Sequence, residues 1–236
     1  MTRGRQGRHR GDVRRWMARV AGSCGLSVSL LGAGLAGCAH VEMDRATAMA
    51  AYAVEVPLFV HIATTGDGPV ISTARLEADI ERTNAELEPF GVRFVLSRVD
   101  ALEAGHAVLK TRDQRARLAR LMSSDGMLHV FYVRQCSVPR TGNVDQRVSG
   151  LHWIYKGLRR DLKDRMYLVV AHDAPDTTLA HELGHAFGLE HRQDDPENIM
   201  CSCERVATPH FDAAQARALR EAIWRRGDDG LSVARR

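Results

Sequence analysis

His181-Glu182-Leu183-Gly184-His185-Ala186-Phe187-Gly188-Leu189-Glu190-His191 is the stretch on which the reading of the whole chain turns. Its spacing is H-E-x-x-H-x-x-G-x-x-H. Residues four apart in an α-helix lie about 40° apart around the axis and one turn apart along it, so His181 and His185 share a face. Two imidazoles on one face can grip a single metal ion. Glu182 is offset by about 100° from His181. That sets its carboxylate beside the ion rather than on it, where it can take a proton from water. Gly188 permits a positive φ and a sharp exit from the helix. The turn would bring His191 back as a third nitrogen ligand. Three histidines with one position left for water describe an open zinc site of the catalytic type, not a closed structural one. The plain alternative is an ordinary helix with solvated histidines. It leaves unexplained why two histidines and a glutamate crowd beside Leu183, Ala186, Phe187 and Leu189.

Downstream comes Asn198-Ile199-Met200-Cys201. The long histidine motif followed by this methionine resembles the metzincin clan of zinc endopeptidases, which join the motif to a "Met-turn" under the metal. The resemblance rests on two short motifs, and the order of elements fits it along most of the mature chain. It implies an α+β, metzincin-like zincin domain. That domain has a twisted, mostly parallel five-stranded sheet with an antiparallel edge strand, an active-site helix and a C-terminal helix. It also implies that His181, His185 and His191 hold one Zn2+, with Glu182 as general base and Met200 as a hydrophobic floor that is not a ligand. Protein or peptide substrate would add to the edge strand as an extended antiparallel strand. Residues 148–155 are the matching strand here; a plain edge strand with no ligand role is the alternative. Residues 207–211 would wall the pocket for the residue just after the scissile bond. The chain departs from better-known subfamilies at Arg192, where several carry Ser, Asp or Glu, and at Ser202, where some carry a ligating tyrosine. The implied membership is therefore of the clan rather than of a subfamily.

The net charge of +4 belongs to the amino terminus. Seven of the 33 basic residues and one of the 29 acidic ones lie in residues 1–20, and residues 21–37 carry none. That leaves 26 basic against 28 acidic residues, a net of −2, so no nucleic-acid partner is inferred. The basic segment, a weakly apolar stretch and Leu35-Ala36-Gly37-Cys38 look like a bacterial lipoprotein signal with its lipobox. Residues 1–37 are then the signal peptide, Cys38 carries the lipid, 38–53 form a tether and 54–236 form the catalytic domain. This predicts an exported lipoprotein, anchored to the membrane through Cys38, at the outer membrane or cell surface. A plain signal peptide with an incidental cysteine is the alternative. Oligomeric state is not legible.

Cys136, Cys201 and Cys203 remain for an oxidising compartment. Three cysteines allow one bridge. Cys201 and Cys203 sit too close in sequence to pair easily, so the expected bridge joins Cys136 to Cys201 or Cys203. A second metal site is the alternative.

Apolar, β-branched runs predict strands over 54–65, 92–99, 127–133, 148–155 and 165–172. Ser72 or Thr73 should cap a helix to about Leu87, with Leu76, Ile80 and Leu87 as its apolar stripe. Pro89 and Gly91 should end it. Residues 111–122 suggest a short basic helix or loop, and the segment around Cys136, Pro139 and Gly142 reads as a long polar loop. Asp176 or Thr177 should cap the histidine helix. Asp212 and Gln215 have the spacing of a capping box for a last helix with Ala216, Leu219 and Ile223 inward. His61, His129, His152 and His172 read as scattered core or surface residues.

The function expected is zinc-dependent hydrolysis of peptide bonds. Two rivals stay open: a non-catalytic surface module on the same fold, and a zinc hydrolase acting on a cell-wall amide. The motif defines the metal site and not the bond that is cut.

Overall fold

A computed structural model describes residues 53–139, 145–156, 160–203, 206 and 208–236. The signal segment, Cys38 and the tether up to residue 52 lie outside the described residues. The elements in chain order are β1 (Val54–Thr65), β2 (Gly68–Pro69), α1 (Thr73–Leu87), β3 (Val92–Leu102), β4 (Val108–Leu109), α2 (Arg112–Leu121), β5 (Leu128–Val133), β6 (Gln135–Pro139), β7 (Asp145–Val148), β8 (Gly150–Ile154), β9 (Met166–Ala171), α3 (Thr178–Ala186), α4 (Ala213–Asp228) and β10 (Ala234–Arg235).

The architecture is α+β. Five strands form the main sheet in the order β3-β1-β5-β9-β8. The first four are parallel and β8 runs antiparallel to β9, Gly150 facing Val170 and Ile154 facing Met166. The two-residue strands β2 and β10 also pair with β1, and β4, β6 and β7 form a separate small sheet. At the carboxyl end of the described chain, Arg236 and Ala53 exchange backbone hydrogen bonds of 2.8 and 2.9 Å.

Side chains on a strand alternate between faces, and both faces of this sheet are covered. Val54, Val56, Leu58, Val60 and Ile62 of β1 join Val130 and Tyr132 of β5 in a core under α1, α3 and α4. The opposite face sends Ala63, Phe131, Val133, Tyr167 and Val169 into a second core under α2, with Leu109 and Cys136. That is why β5 is buried along its full length, as expected of a central parallel strand.

Local signals place the helices. The Ser72 hydroxyl accepts from Arg75 N at the start of α1, and Leu76, Ile80 and Leu87 are buried. Gly91 ends the following 3-10 turn at φ 72°. Thr111 and Gln114 form a capping box, so residues 112–121 are a helix and not a loop. Asp212 and Gln215 form another for α4. Thr177 is the N-cap of α3 but its side chain makes no capping hydrogen bond.

Two expectations are corrected. The segment read as a polar loop contains β6 and β7, paired with each other from Cys136–Val148 to Pro139–Asp145. Cys136 there faces the second core, and its neighbours cover it completely. The strand read as 92–99 extends to Leu102, because β1 continues beside it to Ala63 and supplies a ladder partner at each step.

Candidate metal centre and its cleft

Helix α3 places His181 and His185 one turn apart, their ring centroids 4.7 Å apart and their planes at 90°. The helix stops because Gly188 takes φ 91°, a conformation that favours glycine. The chain turns there and returns His191. Its Nε2 lies 3.0 Å from Nε2 of His185 and 3.3 Å from Nε2 of His181. One nitrogen from each of the three rings fits within 4.8 Å of the others.

The other ring nitrogens decide what these contacts mean. His181 Nδ1 lies 2.7 Å from the Ile199 carbonyl oxygen, and His185 Nδ1 lies 2.9 Å from that of Leu189. A carbonyl only accepts, so each Nδ1 must donate, and in the neutral ring Nε2 is then a bare lone pair. Two bare lone pairs and a third ring nitrogen are thus aimed at one point. A proton on His191 Nε2 can serve one of the two lone pairs fully, whereas a cation at that point is shared by all three nitrogens. Backbone carbonyls holding the far nitrogens are the usual support for metal-binding histidines, so the donor set fits zinc. Burial lowers the pKa of His185 and outweighs the hydrogen bond to the Leu189 carbonyl, which raises it, so the neutral ring is favoured.

Glu182 follows His181 and is buried. It packs against the first residue of β8. A Cβ built on Gly150 would overlap the Glu182 carboxylate and would lie 2.7 Å from both Glu182 Cγ and Thr178 Cγ2. Glycine here is the condition for the carboxylate to lie where it does. Gly184 plays the same part on the underside of α3, where an added Cβ would meet Met200 Sδ at 2.5 Å. Met200 is fully buried beneath the helix.

The turn carrying Met200 is tied down from two sides. Asn198 and Gln215 exchange amide hydrogen bonds of 2.9 and 3.1 Å, and Asn198 Oδ1 also accepts from Met200 N at 2.9 Å. Gln215 Oε1 accepts from Asp212 N as well, so the capping residue of α4 also holds this turn. On the other side, the buried Glu86 of α1 accepts from His210 Nδ1, Phe211 N and Arg82. His210 O in turn accepts from Ile199 N. Ile199 is the residue whose carbonyl orients His181.

A cleft of about 530 Å³ opens between α3 and residues 146–152. The three histidines, Glu182, Gly150 and His152 line it, together with Cys201, Ser202 and Cys203. The cysteine expectation is overturned here. Cys201 pairs with Cys203, and Cys136 is a free, buried thiol whose pKa burial raises to about 11. The bend at Ser202 leaves the two Cα atoms 5.2 Å apart, within the ordinary range for a bridge.

Ser202 Oγ contacts Gln193 Oε1, and Arg192 pairs with Asp212, so both departures from the better-known subfamilies serve local ties. Of the scattered histidines, His152 belongs to the cleft and His61 packs on His129 in the core. Gly150 and His152 carry no local signal. Only the pairing of β8 with β9 brings them to Glu182 and His185.

No family model matches the chain, and no curated protein matches it. Solved structures do. Metalloproteinase-II from Bacteroides fragilis aligns over 72% of this chain with 14% identity and a TM-score of 0.49; the chain spans 53% of that protein's length. Mature mirolysin from Tannerella forsythia, solved in complex with a cleaved peptide, aligns over 76% of this chain and 98% of its own at 11% identity and a TM-score of 0.51. At such identities the likeness speaks for the fold. The chain has an α+β fold with a mostly parallel sheet, and mirolysin shares that fold.

Proposed function

We propose that this chain is a zinc-dependent endopeptidase of the metzincin type. One observation carries the proposal: three imidazole nitrogens converge beside a buried glutamate, two of them bare because their partner nitrogens donate to carbonyls. His181, His185 and His191 would hold the ion. When bound, zinc supplies Lewis acidity and brings the pKa of water down to about 7. Glu182 accepts the proton of the attacking water on its carboxylate and carries it to the leaving nitrogen. Gly150 leaves the space in which that carboxylate sits.

Strand β8 ends the main sheet among the described residues. Its outer edge offers unpaired N–H and C=O groups along which an extended peptide can form a ladder. Mirolysin, which shares the fold, was solved in complex with a cleaved peptide. Export and a lipid on Cys38 belong to the same proposal. They rest on the Leu35-Ala36-Gly37-Cys38 sequence and are checked by the intact mass of the exported chain.

The test is Glu182→Gln. We expect zinc to stay at one per chain while casein cleavage falls by about 10²- to 10⁴-fold, and a chelator to abolish the wild-type rate. Cleavage by the variant at the wild-type rate would remove Glu182 from its role. A wild type that binds zinc and cuts peptidoglycan amides but no peptide would move the substrate to the cell wall.

A further inference from the structure

Beyond Ile154 the cleft side of β8 runs into a second hollow of about 470 Å³, lined by Ile154, Met166, Arg165, Arg226, Asp164 and Asp229 among others. Arg226 is the unusual member. It projects from α4 and is half-buried, and burial lowers its pKa. The contacts of its guanidinium are Met166 Sδ at 2.8 Å from Nη1 and the Phe187 ring at 5.8 Å from Cζ. A thioether is a weak acceptor and a ring face a diffuse one. No described carboxylate lies within ion-pair distance of it; Asp229, exposed on the rim, acts on it only through space. Arg165, in the same hollow, spends its Nη1 on the carbonyls of Ala119 and Met122. A guanidinium has five donors in a rigid fork that matches a carboxylate. Most of those of Arg226 have no acceptor among the described residues.

The position of this cation relative to the reacting centre follows from the strand. The Arg226 charge reaches His152 of β8, which also feels His185. Gly150, against Glu182, and Ile154, at the hollow, are four residues apart, about 13 Å along a strand. Antiparallel pairing is the more stable of the two ladders. A peptide added that way runs its amino-terminal end toward Ile154.

We propose that Arg226 is a specificity-determining residue that takes the carboxylate of an Asp or Glu side chain three to five residues on the amino-terminal side of the scissile bond. The natural substrates are then peptides acidic at that place. This rests on the peptidase reading above, and the experiment keeps the two apart. One peptide is made with Glu, Gln or Lys at each of those positions in turn, and kcat/KM is measured for the wild type, Arg226→Gln and Arg226→Glu, with circular dichroism and zinc content as checks of the fold.

At one position we expect a Glu-to-Gln ratio of about ten or more in the wild type. The ratio should drop to about one in Arg226→Gln and turn toward Lys in Arg226→Glu. A flat ratio in the wild type, or one that survives Arg226→Gln, overturns the proposal. If either variant unfolds, the wild-type ratio is compared at low and high salt, and a preference that salt does not weaken overturns it. If the wild type cuts no peptide, the peptidase reading fails. The same series is then scored by peptide Kd, where equal affinities for Glu, Gln and Lys overturn the role of Arg226.

Discussion

Two groups of histidines bring ring nitrogens equally close, and they are built for opposite ends. In the cleft, Nε2 of His191 lies 3.0 and 3.3 Å from its neighbours. On the far face of the sheet, His61 Nε2 lies 2.9 Å from His129 Nδ1. The facing nitrogens of the core pair can satisfy each other, because one ring donates and the other accepts, while His129 Nε2 on the far side lies 3.6 Å from Asp125 Oδ1. The pair is also stacked between apolar rings, with Phe59 at 4.1 Å and Phe131 at 4.4 Å from His61. Two rings of the cleft trio are committed to carbonyls through Nδ1, which leaves both of their Nε2 atoms as acceptors. Proximity of imidazoles is therefore a poor sign of a metal site. The partner of the opposite ring nitrogen is a good one.

The comparison can be broken most directly by His185→Ala. We expect zinc affinity to fall by more than the roughly hundredfold seen when only a supporting residue is removed, with hydrolysis falling to the metal-free background. His61→Phe should leave zinc content untouched. Equal effects of the two on metal binding would erase the distinction.

A smaller effect should come from Gly150→Ala, which acts on Glu182 and its neighbour Thr178 and on none of the three histidines. Its backbone conformation suits alanine, but the added methyl meets the glutamate and Thr178. We expect zinc content and KM close to wild type and kcat lower by about ten- to a hundredfold, the scale of a misplaced reacting group. An unchanged kcat would show that the carboxylate need not lie there.

The smallest effect is on stability. Burial, aided by His129, lowers the pKa of His61 to about 3, while the unfolded chain keeps an ordinary value near 6.5. The unfolded state then binds the extra proton first. The stability associated with the neutral ring is complete above about pH 6.5 and is lost as pH falls toward the folded value, by at most about 1.4 kcal/mol per pH unit. Urea titrations between about pH 6.5 and 4.5 should show a shallower loss in His61→Phe. Parallel lines for the two proteins would mean that the pair is not buried neutral.

What could be read in advance was local. The His181–His191 spacing, the caps at Ser72 and Asp212, and the stripes on α1 and α4 all act within a few residues, and each is found where the pattern puts it. The parts that could not be read depend on which strands meet. Gly150 and His152 are ordinary residues until β8 lies against β9. The β6–β7 pairing joins two short, partly polar runs whose partners are named by neither. The Cys201–Cys203 bridge escapes a reading that treats closeness in sequence as an obstacle, because the bend at Ser202 brings the Cα atoms to an ordinary distance.

The meeting of Ala53 with Arg236 at the start of β1 has a mechanical consequence. β1 is held by β3 along its length and by β5 over its second half. A pull arriving through residue 53 runs along that strand, so the ladders on both flanks resist it together in shear instead of parting one bond at a time.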